Sequence, residues 1–233
     1  MKKILLEFIA SFSYLFLGCL IELLVINFLP IHNFILELFM IAISFAMVFG
    51  LFYTLTNKIE TVEINPTFSF SLWLRNQMTS KGLILTIFSQ LFGGLLASGI
   101  LFLLFPKQLA SLGVGYGDAS FLHASLDTII LIELLFSFVF VFCFLIAKDK
   151  KKLRPLNGVF LGTLLFLLIF FAIGYTGCCV NPIRAITVNL FVNEDYLRQS
   201  VFYLLSSLAG SLLATILYHV YSYVSNKDSL QHF

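Results

Sequence analysis

Six stretches of this chain are apolar for long enough to cross a bilayer: roughly Ile4 to Val25, Phe34 to Thr56, Leu83 to Phe105, Leu126 to Ala147, Leu156 to Tyr175 and Ser200 to Tyr223. A hydrocarbon core about 30 Å thick takes about 20 residues of helix, so each stretch reads as a transmembrane helix. Composition agrees. Hydrophobic residues are 60% of the chain, charged residues 11% and mean hydropathy is +1.00, against roughly 25% charged in a soluble domain. A soluble fold is excluded. The first stretch follows Lys2-Lys3, as the core of a signal peptide would. It is long, carries Glu7 and Glu22 and lacks a small-residue cleavage site, so it is expected to be retained.

Two further apolar stretches, of about ten residues, are too short to span. Each opens on the same dipeptide, Asn65-Pro66 and Asn181-Pro182, and the two copies lie 116 residues apart, one in each half of the chain. Asn is a favoured helix N-cap and Pro a favoured first helical residue, so each dipeptide predicts the start of a short helix. Half-helices that begin inside a membrane point their positive ends at a common centre. As a cap, each Asn spends its side-chain oxygen on its own helix and turns its amide NH2 to the lumen. Water crossing there turns its oxygen to the amides, and a proton is disfavoured by both the helix ends and the broken hydrogen-bond chain.

The halves also match elsewhere. Ser89 to Ser98 aligns with Ser206 to Thr215 at an offset of 117, and Leu6-Glu7 with Ser11-Phe12 recurs as Ile132-Glu133 with Ser137-Phe138. Each repeat, about 1–115 and 120–233, then holds three spans and a half-helix within one membrane domain. An odd number of spans forces the second repeat to insert upside down. Gly93 with Ala97 and Gly210 with Ala214 are small residues at the spacing that permits close helix packing.

Orientation follows from the basic residues. With the N-terminus inside, the cytoplasmic side holds Lys2, Lys3, Lys58, Arg75, Lys81, Lys148, Lys150, Lys151, Lys152, Arg154 and Lys227, and the outside only Lys107 and Arg198. Both termini are therefore expected in the cytoplasm. The net charge of +2 reflects topology and gives no reason to expect nucleic acid.

Taken together, Glu7, the run Glu63-Ile64-Asn65-Pro66-Thr67 and above all Gly174-Tyr175-Thr176-Gly177-Cys178-Cys179-Val180-Asn181-Pro182-Ile183-Arg184 resemble the aquaporin (major intrinsic protein) family along essentially the whole chain. The third motif residue, Ala in most of the family, is Thr67 in one copy and Ile183 in the other. The resemblance implies an all-α membrane protein of six spans and two half-helices in an inverted three-plus-three repeat, a homotetramer in the cell membrane with one pore per subunit. It implies a passive channel for water, with small neutral solutes such as glycerol as a second cargo, and neither an enzyme nor a cofactor. A glycerol-type facilitator, a coupled secondary transporter and a pore-closed structural protein are the competing readings.

The resemblance also assigns roles. Glu7 and Glu133, costly inside apolar spans, would accept N–H groups from the loops that lead into the half-helices. Phe45, Ile169, Cys178 and Arg184 would form the selectivity constriction, with Arg184 offering its donors and charge to a solute. Glycerol-type members usually carry Asp after the Arg and Trp and Gly in the constriction. Here Ala185, Phe45 and Ile169 stand there, which leans toward water, as does the pair Phe202-Tyr203, although water-type members usually have His in place of Ile169. Glu63, where most of the family has His, is a candidate vestibule gate unless it merely pairs with Lys58 or another cytoplasmic base.

The other polar residues carry less. Glu22, Glu37 and Asp127 lie near span ends and are expected to reach the interface. Cys19, Cys143, Cys178 and Cys179 lack metal-ligand spacing, and the four histidines are scattered. Gly113-Val114-Gly115-Tyr116-Gly117 reads as a flexible connection.

Overall fold

The computed structural model describes residues 1–150 and 156–231, with side chains as far as Val224. Lys151, Lys152, Arg154 and the Lys227 side chain, counted above as topology signals, lie outside the described residues. Those residues form α1 (Lys2–Phe28), α2 (Phe34–Asn57), α3 (Pro66–Leu74), α4 (Ser80–Leu104), α5 (Leu126–Asp149), α6 (Asn157–Thr176), α7 (Pro182–Val192) and α8 (Glu194–Gln231). Six of them are long and apolar enough to cross a membrane: α1, α2, α4, α5, α6 and the 194–224 part of α8. The remaining two, α3 and α7, have nine and eleven residues. At 1.5 Å per residue they span about 14 and 17 Å, roughly half the hydrocarbon thickness.

The helices pair as α1 with α4, α2 with α6 and α5 with α8. At all three crossings a side chain has to vanish; between α2 and α6 a Cβ on Gly158 would stand 2.5 Å from the Gly50 carbonyl oxygen. A Cβ on Gly93 would stand 2.6 Å from the Phe8 carbonyl oxygen, and one on Gly210 would stand 2.3 Å from that of Leu134. Ala97 and Ala214, one turn on, are fully buried. Small residues thus let the backbones touch, which is how helices gain packing in a solvent as apolar as their own side chains.

Two expectations change. The sixth span begins at Glu194 rather than Ser200, separated from α7 by Asn193 alone. The reason is local: Asn193 accepts the Tyr196 N–H at 3.0 Å, and Glu194 and Asp195 occupy the first turn, where negative charge is favoured. The second change is the glycine-rich loop, which is pinned rather than flexible. The Val114 N–H donates to Asn189 Oδ1 (3.0 Å), Asn189 Nδ2 donates back to the Val114 carbonyl (2.9 Å), and the Tyr116 N–H donates to Gln199 Oε1 (2.8 Å). Its anchors sit on α7 and α8, far away in sequence.

Candidate pore

Asn65 and Asn181 hold extended backbone just before α3 and α7. Each accepts a backbone N–H through its side-chain oxygen, from Thr67 at 3.0 Å and from Ile183 at 3.2 Å. Pro follows as the first helical residue in both, so the two dipeptides start the half-helices as the sequence predicts. Thr67 adds its own hydroxyl, which donates to the Asn65 oxygen at 2.8 Å. Ile183 instead spends bulk, packing its Cγ2 where a Cβ on Gly94 would be 2.8 Å away.

The amides then cross. Asn65 Nδ2 donates to the Val180 carbonyl at 2.9 Å, and Asn181 Nδ2 donates to the Ile64 carbonyl at 3.2 Å. The two half-helices are thereby joined tip to tip, and each amide spends one of its two donors on protein. The expectation that the whole NH2 faces the lumen is corrected: one N–H of each Asn is spent on the opposite loop. To present those carbonyls, Ile64 and Val180 take positive φ, 62° and 36°. Left-handed backbone is strained for a β-branched residue, and such strain persists only where the surroundings impose it.

What imposes it is a helix-borne carboxylate that holds each loop. Glu7 on α1 accepts the Glu63 N–H (2.7 Å) and the Ile64 N–H (3.0 Å), and Gln90 on α4 adds a third bond at 2.9 Å. Glu133 on α5 accepts the Cys179 N–H (3.0 Å), the Val180 N–H (2.9 Å) and the Thr176 hydroxyl (2.7 Å). Both carboxylates are fully buried. Irregular backbone at membrane depth needs such partners, because no water is there to replace them. Glu63 itself is buried, and its carboxylate pairs with Lys3 at 2.8 Å rather than with Lys58.

At the other end, Phe45, Ile169, Cys178 and Arg184 are all buried, 1 to 3% exposed. The Arg184 guanidinium carbon lies 5.4 Å from the centre of the Phe45 ring, within cation–π range. Phe45 reaches there because α1 carries Gly18 opposite it. A Cβ on Gly18 would be 2.3 Å from the ring. Tyr14 meets the ring edge-on at 5.6 Å.

Glu22 departs from expectation. It does not reach the interface; its side chain is 5% exposed, and it takes the Arg184 Nη2 donors on both carboxylate oxygens, at 2.9 and 2.8 Å. It lies six residues inside the end of α1 and faces Arg184 on α7, so it pairs there instead. Arg184 Nη1 donates to the Gly177 carbonyl (3.1 Å) and the Cys179 sulfur (3.3 Å). Thiols of Cys179 and Cys19 touch the guanidinium, while the Cys178 backbone N–H donates to the Thr176 hydroxyl at 2.9 Å. Sequence reasoning also missed Gly18, Gln90 and Thr176. A signal for Glu22 existed: fifteen residues after Glu7, it lies about 60° around the same helix and about 22 Å along it, so the two carboxylates share a face.

Cavities open at both ends. One of about 330 Å³ is lined by Glu22, Glu37, Asp118, Gly177 and Tyr196 among others, and the other, of about 460 Å³, by Tyr53, Lys58, Lys148 and Asp149 among others.

Six spanning helices, two half-helices joined at their tips and a vestibule at either end define a membrane channel protein of all-α architecture. The family model for the major intrinsic proteins matches residues 1–218, and the chain belongs to that family, whose members are channels for water and small solutes. Aquaporin-5 from Mus musculus is 25% identical over 223 residues, covering 93% of this chain and 79% of the relative. Aquaporin Z from Photorhabdus laumondii is 25% identical over 165 residues, covering 68% and 71%. The X-ray structure of the aquaglyceroporin from Plasmodium falciparum shares the fold, with a TM-score of 0.80 at 16% identity over 93% of this chain and 94% of that one.

Proposed function

We propose that this chain is a passive water channel of the cell membrane, built of two inverted repeats, with both termini in the cytoplasm and four copies assembled around one axis. The observation that carries the reading is the reciprocal bonding of Asn65 and Asn181, which leaves one amide N–H on each for a water oxygen at the meeting of two positive helix ends. Phe45, Ile169, Cys178 and Arg184 form the selectivity constriction of this reading. Relatives named Aquaporin-5 and Aquaporin Z favour water.

A coupled transporter would cycle protons on its buried carboxylates. Glu7 and Glu133 each hold three donors, an arrangement that favours a fixed brace over a cycling acid. A broader solute range has one observation in its favour: apolar Ile169 in the constriction, together with a fold neighbour titled an aquaglyceroporin.

Osmotic shrinkage of proteoliposomes tests the reading. A channel raises water permeability with a low activation energy and does so without an ion gradient. Permeability equal to that of protein-free vesicles, or dependent on an ion gradient, overturns it. Re-swelling in a glycerol gradient separates a strict water pore from a broader one.

A further inference from the structure

We infer that Glu22 is a specificity-determining residue of the constriction, and that the charge selectivity of this pore rests on a neutral Glu22–Arg184 pair rather than on a lone cation. The inference rests on the channel reading above and concerns the same site. Its basis is the accounting of Arg184. A guanidinium carries five N–H donors. Nη2 serves the two oxygens of Glu22, and Nη1 serves the Gly177 carbonyl and the Cys179 sulfur. The Cys19 thiol on α1 also lies against this guanidinium. Most donors of this side chain are thus spent on protein, beside a charge that Glu22 cancels.

The surroundings strengthen the point. The cavity that leads to the pair also presents Glu37 and Asp118, and neither Lys nor Arg lines it. A positive filter would stand out at the mouth of an acidic vestibule; a paired one does not. Both partners are 5% exposed or less, so their attraction is little screened by water. Removing one partner leaves the other as an uncompensated charge at the narrowest point. Carboxylates lining a pore select cations, and Arg or Lys selects anions. Each single neutralisation therefore turns the filter toward one sign, and the double neutralisation returns it to balance.

The test is a four-member cycle in proteoliposomes: wild type, Glu22→Gln, Arg184→Val and the double variant. Proton and potassium flux, chloride flux and water flux are read on the same vesicles, and ion leak is scaled to water flux. Arg184→Val should leak protons or potassium at least about ten-fold above wild type, because Glu22 is stranded. Glu22→Gln should raise chloride flux several-fold. The double variant should return both leaks to near the wild-type level. Gln matches Glu in size, so a leak caused only by the wider opening of Arg184→Val would persist unchanged in the double variant, and that result overturns the inference. If the single variants fail to fold, a double variant that folds supports the pair. One that fails with them shows that charge balance is not what the two residues supply, and overturns it. Absence of water flux in wild type would instead sink the channel reading, independently of the ion data.

Discussion

Three residues after Asn181 the chain carries Arg184; three residues after Asn65 it carries Phe68. Both side chains leave the first turn of a half-helix braced by a buried carboxylate, yet their surroundings are opposite in kind. Arg184 is met by Glu22, two backbone or sulfur acceptors and the face of Phe45. Phe68 lies flat on Phe144, with ring centres 3.9 Å apart and 8° between planes, and Phe140 and Phe49 close around it. The helices that face them follow suit. Glu22 and Gly18 on α1 become, 126 residues later on α5, Lys148 and Phe144. One end is hollowed by Gly18 so that an aromatic ring and a charge pair fit; the other is filled by a ring where the glycine would be. A shared backbone device thus supports a buried charge pair at one end and a cluster of aromatic rings at the other, and a handful of side chains decide which.

The device common to both ends should be the most sensitive point. Glu133→Ala removes the acceptor of the Cys179 and Val180 N–H groups and of the Thr176 hydroxyl. At about 1–3 kcal/mol for each buried group left unpaired, we expect a loss of about 3 kcal/mol or more, seen as a collapse of detergent-stable protein and of water flux. Glu7→Ala should do the same through Glu63, Ile64 and Gln90. A variant at either position that keeps wild-type thermal stability and flux would break the claim that the loops are held by these carboxylates.

Next comes the hollow. Gly18→Ala places a methyl 2.3 Å from the Phe45 ring, so the ring has to turn out of its place against Arg184. Overpacking of this kind costs about 1–3 kcal/mol, and water permeability per folded channel should fall several-fold. Alanine at Phe144, the matched position at the filled end, should cost stability and leave the glycerol-to-water ratio alone. Equal shifts of that ratio at the two ends would mean that the filter is not confined to the Arg184 side.

Ile169 sharpens the same contrast at lower amplitude. In the proposed constriction a His at this position adds a polar group and narrows the opening for CH groups, so Ile169→His should lower the glycerol-to-water ratio by a few fold in re-swelling traces. Complete exclusion of glycerol by the wild type would leave the aperture to Phe45 and its neighbours.

The smallest effect belongs to the latch between Lys3 and Glu63. Lys3 is 30% exposed, and partly exposed pairs contribute about 0–1 kcal/mol. Lys3→Ala should leave the midpoint of thermal unfolding within a few degrees of wild type and water flux within about two-fold. Wild-type flux that is flat from pH 5 to pH 8, with Lys3→Ala equally flat, assigns Glu63 to bracing; flux that varies with pH only when Lys3 is absent would make the latch a gate.

Much of the pore could be read from the chain because its signals are local. Asn-Pro at positions 65 and 181 caps a helix through bonds to residues two away, and apolar runs of about 20 residues commit to helices wherever a bilayer is the solvent. The buried carboxylates were legible for a related reason: Glu7 and Glu133 have no inexpensive solution in hydrocarbon, so a partner was implied before it was seen. Glu22 posed the same problem, but its distance from the end of α1 made the interface seem within reach, and its partner lies 162 residues away. The pinned loop at Val114 and the N–H that each Asn spends on the opposite loop were hidden for the same reason, since their partners are far away in sequence.

The sequence by itself therefore determined how many helices cross, where the two short ones begin, two of the glycines at which backbones meet and that two carboxylates must be satisfied inside. These follow from solvent, chain geometry and neighbours within a turn or two. Tertiary structure alone decided which partner satisfies which charge. Glu22 takes Arg184, Lys3 takes Glu63, and each Asn amide takes the other loop's carbonyl. The physical reason is that pairing in a low-dielectric interior depends on distances of about 3 Å between side chains on different helices, and those distances exist only once the helices have packed.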